Sequence, residues 1–189
     1  MTSTPLRADA ARSRDRILAA ARRADPRDLR LNEVAREAGV GVGTVYRHFA
    51  TAHALVEELT RDALHRLNAI ALEAAVDPDP ERAFESALRA VVDLHLESGG
   101  LQAVLLAEQD MSPEITELKA ATFDGLSDVL ERAQRAGVVR TDLSGDRVER
   151  LICGIEYAIR LSVPDADADE PDTDDRALFV DVLLAGLRP

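Results

Sequence analysis

Residues 31–56, LNEVAREAGVGVGTVYRHFATAHALV, decide the fold. The first eight residues have the apolar spacing of a short helix, Gly39 is typical of a helix end, and residues 43–49 favour a second short helix. Two short helices joined by a tight turn that contains glycine indicate a helix-turn-helix. The helices are predicted to pack through their small and apolar side chains, Val34, Ala35 and Ala38 against Val40, Val45 and Phe49.

The other side of the second helix is predicted to face outward. It carries Val42, Thr44, Tyr46, Arg47 and His48. These residue types suit a DNA major groove. Thr and Val can contact a thymine methyl group, Arg can bind guanine or phosphate, and Tyr and His can hydrogen-bond to phosphates. We therefore take these five residues as candidate DNA-binding residues.

Charge is distributed unevenly along the chain. The sequence has 23 basic and 35 acidic residues, a formal net charge of −12. Residues 1–50 nevertheless contain ten arginines and six acids, which gives them +4 and leaves −16 for the other 139 residues. Because salt limits the reach of a charge to ~8–10 Å, a local basic surface can bind phosphates on an acidic protein. Ordinary variation along helical surfaces is the alternative explanation.

The remaining sequence predicts an all-α protein of about nine helices. Apolar residues recur at helical spacing and no segment shows sustained alternation. The predicted helices cover residues 8–24, 31–38, 43–49, 52–75, 80–98, 101–108, 112–136, 146–162 and 175–187. Residues 164–175 contain seven acids and two prolines, which indicates a solvated loop.

Composition excludes several classes of protein. The single cysteine, Cys153, rules out an internal disulfide framework and a multi-cysteine metal site. No apolar run approaches the ~20 residues of a membrane span, and the N-terminus lacks the apolar region of a secretory signal. We expect a cytoplasmic protein that has no membrane partner, no cofactor and no metal.

The segment AGVGVGTVYRHF, followed by a helix that begins AHALV, resembles the DNA-binding head of the tetracycline-repressor (TetR) family. The resemblance covers residues 8–60. It implies a DNA-binding domain over 1–51 and a helical effector-binding and dimerisation domain over 52–189. It further implies a homodimeric repressor that binds a near-palindromic operator in double-stranded DNA and is released by a small-molecule effector. Thr44, Tyr46 and His48 match positions that commonly contact DNA in this family, whereas Val42, Gly43 and Arg47 match positions that vary with the operator.

Three positions depart from the family pattern. The family often has Ser in place of Gly41, Lys in place of Ala52, and Thr or Ser as a helix cap in place of Arg30. The Ser and Lys are phosphate contacts in the family. Arginines of the N-terminal arm and first helix are the hypothetical replacements, namely Arg7, Arg12 and Arg14.

The second part of the chain offers weaker candidates. His95 is the polar ring on an otherwise apolar helical stripe, where it is either a core histidine or a polar anchor in a ligand cavity. The candidate ligand-binding residues are Phe84, Leu88, His95, Leu105, Met111 and Phe123. The last two helices have broad apolar faces, which predict a dimer interface. Its candidate residues are Leu151, Ile155, Ile159, Leu183, Leu184 and Leu187.

Other interpretations of the motifs are weaker. The glycines at 39, 41 and 43 do not have the spacing of a phosphate-binding loop, and neither a strand nor a lysine accompanies them. His53 and Glu57 lie four residues apart and could form half of a metal site, but no third ligand is evident, and a solvated pair is favoured. Acids at 108, 110 and 114 are expected by chance at this acid content. No catalytic set stands out, so an enzyme is not predicted. The alternative function is a helical ligand- or protein-binding module that does not bind DNA.

Overall fold

A computed structural model describes residues 4–161 and 173–189. These residues form nine α-helices and one 3-10 helix, and none of them is in a β-strand. The α-helices are α1 (Thr4–Ala21), α2 (Leu31–Glu37), α3 (Val42–His48), α4 (Ala52–Val76), α5 (Pro80–Glu97), α6 (Leu101–Leu105), α7 (Pro113–Arg135), α8 (Gly145–Leu161) and α9 (Thr173–Leu187). The predicted all-α fold is confirmed.

Most helix boundaries differ from the prediction by one to three residues. The first helix begins earlier than predicted, and the 3-10 helix at Pro26–Asp28 was not predicted. Helix α6 ends at Leu105 rather than near residue 108. The prediction from its apolar composition was therefore too long. Of the predicted acidic loop at 164–175, residues 164–172 lie outside the described residues.

Two glycines end helices through a left-handed backbone conformation. Gly39 has a φ of 61° and Gly137 a φ of 72°. After each glycine the chain turns back on its helix: the Val40 N–H donates to the Ala35 carbonyl at 3.0 Å, and the Val138 N–H donates to the Ala133 carbonyl at 2.9 Å. Because L side chains rarely adopt positive φ, glycine is the residue that makes both turns without strain.

The chain divides into two compact units. The first unit comprises Met1–Leu64 and Ser98–Glu117, and the second comprises His65–Glu97 and Leu118–Pro189. The boundary predicted between residues 51 and 52 marks the end of the DNA-binding motif. It does not coincide with the division into compact units, and it stays a prediction. In the first unit, α1, α2 and α3 pack against one another. Their buried side chains include Ile17, Leu31, Val34, Ala35 and Val45.

The second unit is built around α5, α8 and α9, which contact one another. The apolar part of its core is aliphatic apart from Phe84, and it includes Leu88, Val92, Ile152, Ile159, Leu184 and Leu187. Two ion pairs connect α5 to α9 at the surface. The Arg89 Nη2 lies 2.7 Å from the Asp181 Oδ1, and the Arg176 Nε donates to Asp93 at 2.9 Å. Arg132 donates to the carbonyls of Ala74 and Ala75 and so caps the end of α4.

Among the described residues, no helix combines the length and the apolar character that a membrane span requires.

Candidate DNA-binding surface

Helix α3 has one buried side and one outward side. On the buried side, Val45 is 0% exposed and Phe49, which follows the helix, is 5% exposed. Burial of each side chain contributes ~1.5–3 kcal/mol. A helix of seven residues is too short to be stable in water by itself, so this packing holds α3 in place. The predicted contact between the two motif helices is present.

All six predicted DNA-binding residues have side chains or backbone on the accessible surface of α3. Val42 is 43% and Tyr46 51% exposed, Gly43 and Arg47 are exposed, and Thr44 and His48 are half-buried. The Arg47 Nη2 donates a hydrogen bond to the Thr44 Oγ1 at 3.0 Å. The surface can therefore present apolar groups, hydroxyl groups and a guanidinium group to one ligand.

The three departures from the family pattern have local consequences. The Arg30 side chain makes no capping hydrogen bond at the start of α2, and Gly41 has no side chain that could cap α3. At the start of α4, however, the Thr51 Oγ1 accepts a hydrogen bond from the Ala54 N–H at 3.0 Å. Thr51 was missed as a functional candidate, although a threonine just before helical apolar spacing is a typical N-cap.

A groove of about 350 Å³ lies between Tyr46 and the starts of α2 and α4. Its lining residues are Leu29, Arg30, Leu31, Asn32, Tyr46, Ala50, Thr51 and Ala52. The first backbone N–H groups of a helix point away from the helix and favour an anion. Because α4 begins at this groove, its dipole adds to the hydroxyl groups of Tyr46 and Thr51. The groove thus has the chemistry that a phosphate group requires.

The arginines offered as replacement phosphate contacts have different environments. The Arg14 Nη2 lies 2.6 Å from the Glu58 Oε1, and its guanidinium lies 5.7 Å from the centre of the Phe49 ring. Arg14 therefore braces α3 from within the first unit. Arg12 forms an exposed ion pair with Asp9, and the side chain of Arg7 lies outside the described residues.

Comparison with known proteins gives the family. Residues 17–59 match the family model described as bacterial regulatory proteins of the tetR family. Residues 79–189, more than half of the chain, match the model described as the C-terminal domain of SbtR-like transcriptional regulators. The chain belongs to the TetR family. Its members are DNA-binding transcriptional regulators rather than enzymes.

Solved TetR structures agree with this family. A TetR regulator from Streptomyces coelicolor is 30% identical, with 93% of this chain and 98% of that chain covered and a TM-score of 0.50. PfmR from Thermus thermophilus is 21% identical over 93% of this chain and 100% of that chain, with a TM-score of 0.58. FadR from Bacillus subtilis, solved in complex with stearoyl-CoA, is 14% identical. The match covers 92% of this chain and 99% of that chain, with a TM-score of 0.55. No curated protein sequence matches the chain.

The candidate ligand-binding residues of this TetR protein do not all share one unit. Leu105 and Met111 belong to the first unit, where Leu105 is buried and Met111 is 50% exposed. The other four belong to the second unit, where Phe84, Leu88 and His95 are buried and Phe123 is half-buried. An exposed methionine does not line an enclosed cavity, so the structure does not support the prediction for Met111.

His95 lies in a buried polar cluster of the second unit. The ring is 1% exposed. Its Nδ1 lies 3.5 Å from the Glu156 Oε2, and its Nε2 lies 3.9 Å from the Glu149 Oε1. Within the described residues, neither ring nitrogen makes a hydrogen bond, and neither does the Glu156 Oε2. Sequence reasoning missed both glutamates. Their seven-residue spacing, on the same face of α8 as Ile152, was the available signal.

The two glutamates have opposite pKa shifts. Burial raises the pKa of Glu149 above the ordinary glutamate value, and the nearby His95 opposes this shift only in part. Burial by itself would also raise the pKa of Glu156, but His95 and Arg160 together lower it. The Arg160 Nε donates to the Glu156 Oε1 at 2.9 Å, and its Nη2 donates to the His95 carbonyl at 3.1 Å. Glu149 is therefore the carboxyl that holds its proton more tightly.

The candidate dimer residues need a correction. Four of them are packed inside the second unit and cannot form a surface for a second copy: Ile159, Leu183, Leu184 and Leu187, all at most 7% exposed. Ile155 is half-buried, and Leu151 is 42% exposed. The prediction treated each apolar stripe as one free face, whereas most of that stripe forms the chain's own core.

The same helices leave other apolar side chains exposed. We name these the outer apolar face: Leu151, Tyr157 and Leu161 of α8, and Leu178 and Val182 of α9. Their exposed fractions range from 42% to 68%.

The interpretation of His53 and Glu57 as a solvated pair is also wrong. Glu57 is only 3% exposed, and its Oε1 lies 3.1 Å from the His53 Nε2.

Proposed function

We propose that two copies of the chain bind a near-palindromic operator, each placing α3 in the major groove. The DNA contacts would come from Val42, Gly43, Thr44, Tyr46, Arg47 and His48. The observation that carries this proposal is the pair of exposed side chains, Val42 and Tyr46, on a helix whose other side is fixed by buried Val45. Recognition helices of helix-turn-helix dimers lie ~34–36 Å apart, one turn of DNA.

Four of the six residues have one of two roles. Tyr46 and His48 bind phosphates, because Tyr46 borders the groove at the start of α4 and His48 is at the end of α3. Thr44 and Arg47 read base edges, and their mutual hydrogen bond holds the guanidinium over the helix. Phosphate contacts set affinity for every sequence, whereas base contacts set the preference at one position.

Selection of bound duplexes from a random pool at stated salt tests this proposal. A two-fold symmetric motif is expected. Thr44→Ala should change the preference at one base pair per half-site by ~1–3 kcal/mol, whereas His48→Ala should weaken binding to all duplexes alike. If no duplex is enriched, the chain is instead a ligand- or protein-binding member of the fold.

We also propose that the outer apolar face forms the homodimer interface. Exposed apolar side chains that repeat along two adjacent helices are typical of a surface covered by a partner, and a two-fold axis lets one face pair with itself. Leu161→Glu combined with Val182→Glu should convert a dimer into a monomer in light scattering. Leu72→Glu is the matched control, because Leu72 is 61% exposed on α4. A dimer that survives the double substitution would refute this interface.

We infer, finally, that the effector binds in the second unit with its polar head at His95. The His95 Nδ1 and the Glu156 Oε2 make only a long ion pair at 3.5 Å and no hydrogen bond, and buried polar atoms are costly unless a partner satisfies them. Two carboxylates at the site favour a head group that donates hydrogen bonds, such as an amine. Phe84 and Leu88, which are buried on the same helix α5, would contact its apolar body.

Octylamine and octanoate both have eight carbons, so they distinguish an amine head group from a carboxylate head group. Octylamine is expected to raise the melting temperature and to release operator DNA, and octanoate is expected to do neither. His95→Leu should abolish the response to octylamine. A response to octanoate alone would refute the proposed head group. If the His95→Leu variant responds like the wild type, His95 is only a core residue.

A further inference from the structure

A second cluster of titratable side chains lies in the first unit. His53 and Glu57 occupy successive turns of α4, and Asp110 lies in the segment between α6 and α7. One ligand atom from each residue lies within 4.8 Å of the other two. Asp110 therefore supplies the third potential ligand atom, which the sequence did not reveal because Asp110 is more than fifty residues away along the chain.

The cluster is held in place by the surrounding structure. The Met111 N–H donates to the Glu57 Oε1 at 2.7 Å, which fixes the buried carboxylate against the segment that carries Asp110. The His53 Nε2, directed at the same Glu57 oxygen, is a buried atom that makes no hydrogen bond among the described residues.

We propose that His53, Glu57 and Asp110 bind a divalent transition-metal ion, with Zn²⁺ as the preferred ion. An imidazole nitrogen with two carboxylate oxygens is a donor set for Zn²⁺ or Mn²⁺, and the imidazole disfavours Mg²⁺ and Ca²⁺. Zinc–ligand distances of ~2.0–2.2 Å place the ligand atoms of a tetrahedral ion about 3.3–3.6 Å apart. The His53–Glu57 distance of 3.1 Å is already close to that value. A shift of Asp110 by about 1 Å completes the set, and water supplies the fourth ligand.

This inference goes beyond DNA recognition and does not depend on it. The ion joins the start of α4 to the segment before α7, both within the first unit. Because it binds the folded chain and not the unfolded one, it raises the stability of the fold. His53 follows the last residue of α3 by five positions, so the ion strengthens the part of the unit from which α3 extends.

Metal-stripped full-length protein tests the site by calorimetric titration with ZnCl₂, MnCl₂ and MgCl₂. We expect one Zn²⁺ per chain, weaker binding of Mn²⁺, no binding of Mg²⁺, and a higher melting temperature with Zn²⁺. His53→Gln, Glu57→Gln and Asp110→Asn should each weaken Zn²⁺ binding by at least ~10-fold. Glu57→Gln keeps an oxygen that can accept from the Met111 N–H, so the local fold is preserved.

Two further variants serve as controls. His65→Gln changes an exposed histidine of the same helix, and Cys153→Ser removes the only thiol. Both should bind Zn²⁺ as the wild type does. Melting in the presence of a chelator shows whether each variant is folded. The proposal is overturned if the wild type binds no Zn²⁺ at about 100 µM, or if the folded Asp110→Asn variant binds it with unchanged affinity.

Discussion

Removal of one hydroxyl group from α3 tests the assignment of the DNA-binding surface. The chain has two tyrosines, and both are exposed: Tyr46 is 51% and Tyr157 59% exposed. Tyr46→Phe keeps the ring and removes only the group that we assign to a phosphate. Because the side chain lies at the surface of the free protein, the free energy of unfolding should change by less than ~0.5 kcal/mol.

The expected loss of affinity follows from the number of contacts. A hydrogen bond to a charged group contributes ~1.5–3 kcal/mol, and a dimer makes the contact once in each half-site. The two losses together give ~3–6 kcal/mol, and a factor of ten in the dissociation constant corresponds to ~1.4 kcal/mol. Tyr46→Phe should therefore weaken operator binding by about 10²- to 10⁴-fold. The loss should be similar for every duplex, because phosphates carry no sequence information.

Fluorescence anisotropy with a labelled operator at constant salt measures this loss. Tyr157→Phe is the control of the same chemistry in the second unit. Because phenylalanine keeps the aromatic ring on the outer apolar face, the variant should still dimerise and bind DNA as the wild type does. If the dissociation constant of Tyr46→Phe is within threefold of the wild-type value, the Tyr46 hydroxyl does not contact DNA. If Tyr157→Phe loses as much affinity, the effect is not specific to α3.

The remaining predictions concern stability. Gly100→Ala should destabilise the fold by ~1–3 kcal/mol in thermal melts, because the added Cβ would lie 2.9 Å from Thr60 and 3.0 Å from Val56. Gly154→Ala, inside α8 with no atom within 4 Å of the added Cβ, should instead stabilise it by ~0.4–1 kcal/mol, and the opposite order would contradict the packing around Gly100. Because burial raises the pKa of Glu149, ionisation of this carboxyl costs stability, and the cost grows as pH rises from the ordinary glutamate pKa through the raised one. Glu149→Gln should therefore be more stable than the wild type at pH 8 and lose that advantage near pH 4, as measured by urea denaturation; an advantage that is largest at low pH would refute the shift.

The helix-turn-helix could be predicted because its signals are local. Gly39 ends one helix through its own backbone, and the spacing of Val45 and Phe49 fixes which side of the next helix is buried. The accessible surface of α3 is what remains, so its residues follow from the same pattern. The preference for helices throughout the chain likewise rests on short-range periodicity.

Tertiary partners decide what could not be predicted. Apolar spacing on α8 does not distinguish a buried side chain, such as Ile159, from one that faces outward, such as Leu161. Sequence periodicity also could not predict the cluster of His53, Glu57 and Asp110. It relates His53 to Glu57 but relates neither of them to Asp110. An exposed interface and a buried core have the same pattern, and only the packing of the helices separates them.

The acidic composition makes the salt dependence of DNA binding informative. Release of counterions from phosphates raises affinity steadily as salt is lowered. Residues 51–189, however, carry −16, and lower salt lets their repulsion reach farther, from ~8 Å at 0.15 M to ~30 Å at 0.01 M. At low salt, this repulsion opposes the gain from counterion release. At physiological salt, the repulsion is screened and does not. A plot of log affinity against log salt should therefore be linear near 0.15 M and flatten towards 0.01 M. A slope that stays constant over the whole range would mean that the acidic part of the chain does not oppose binding.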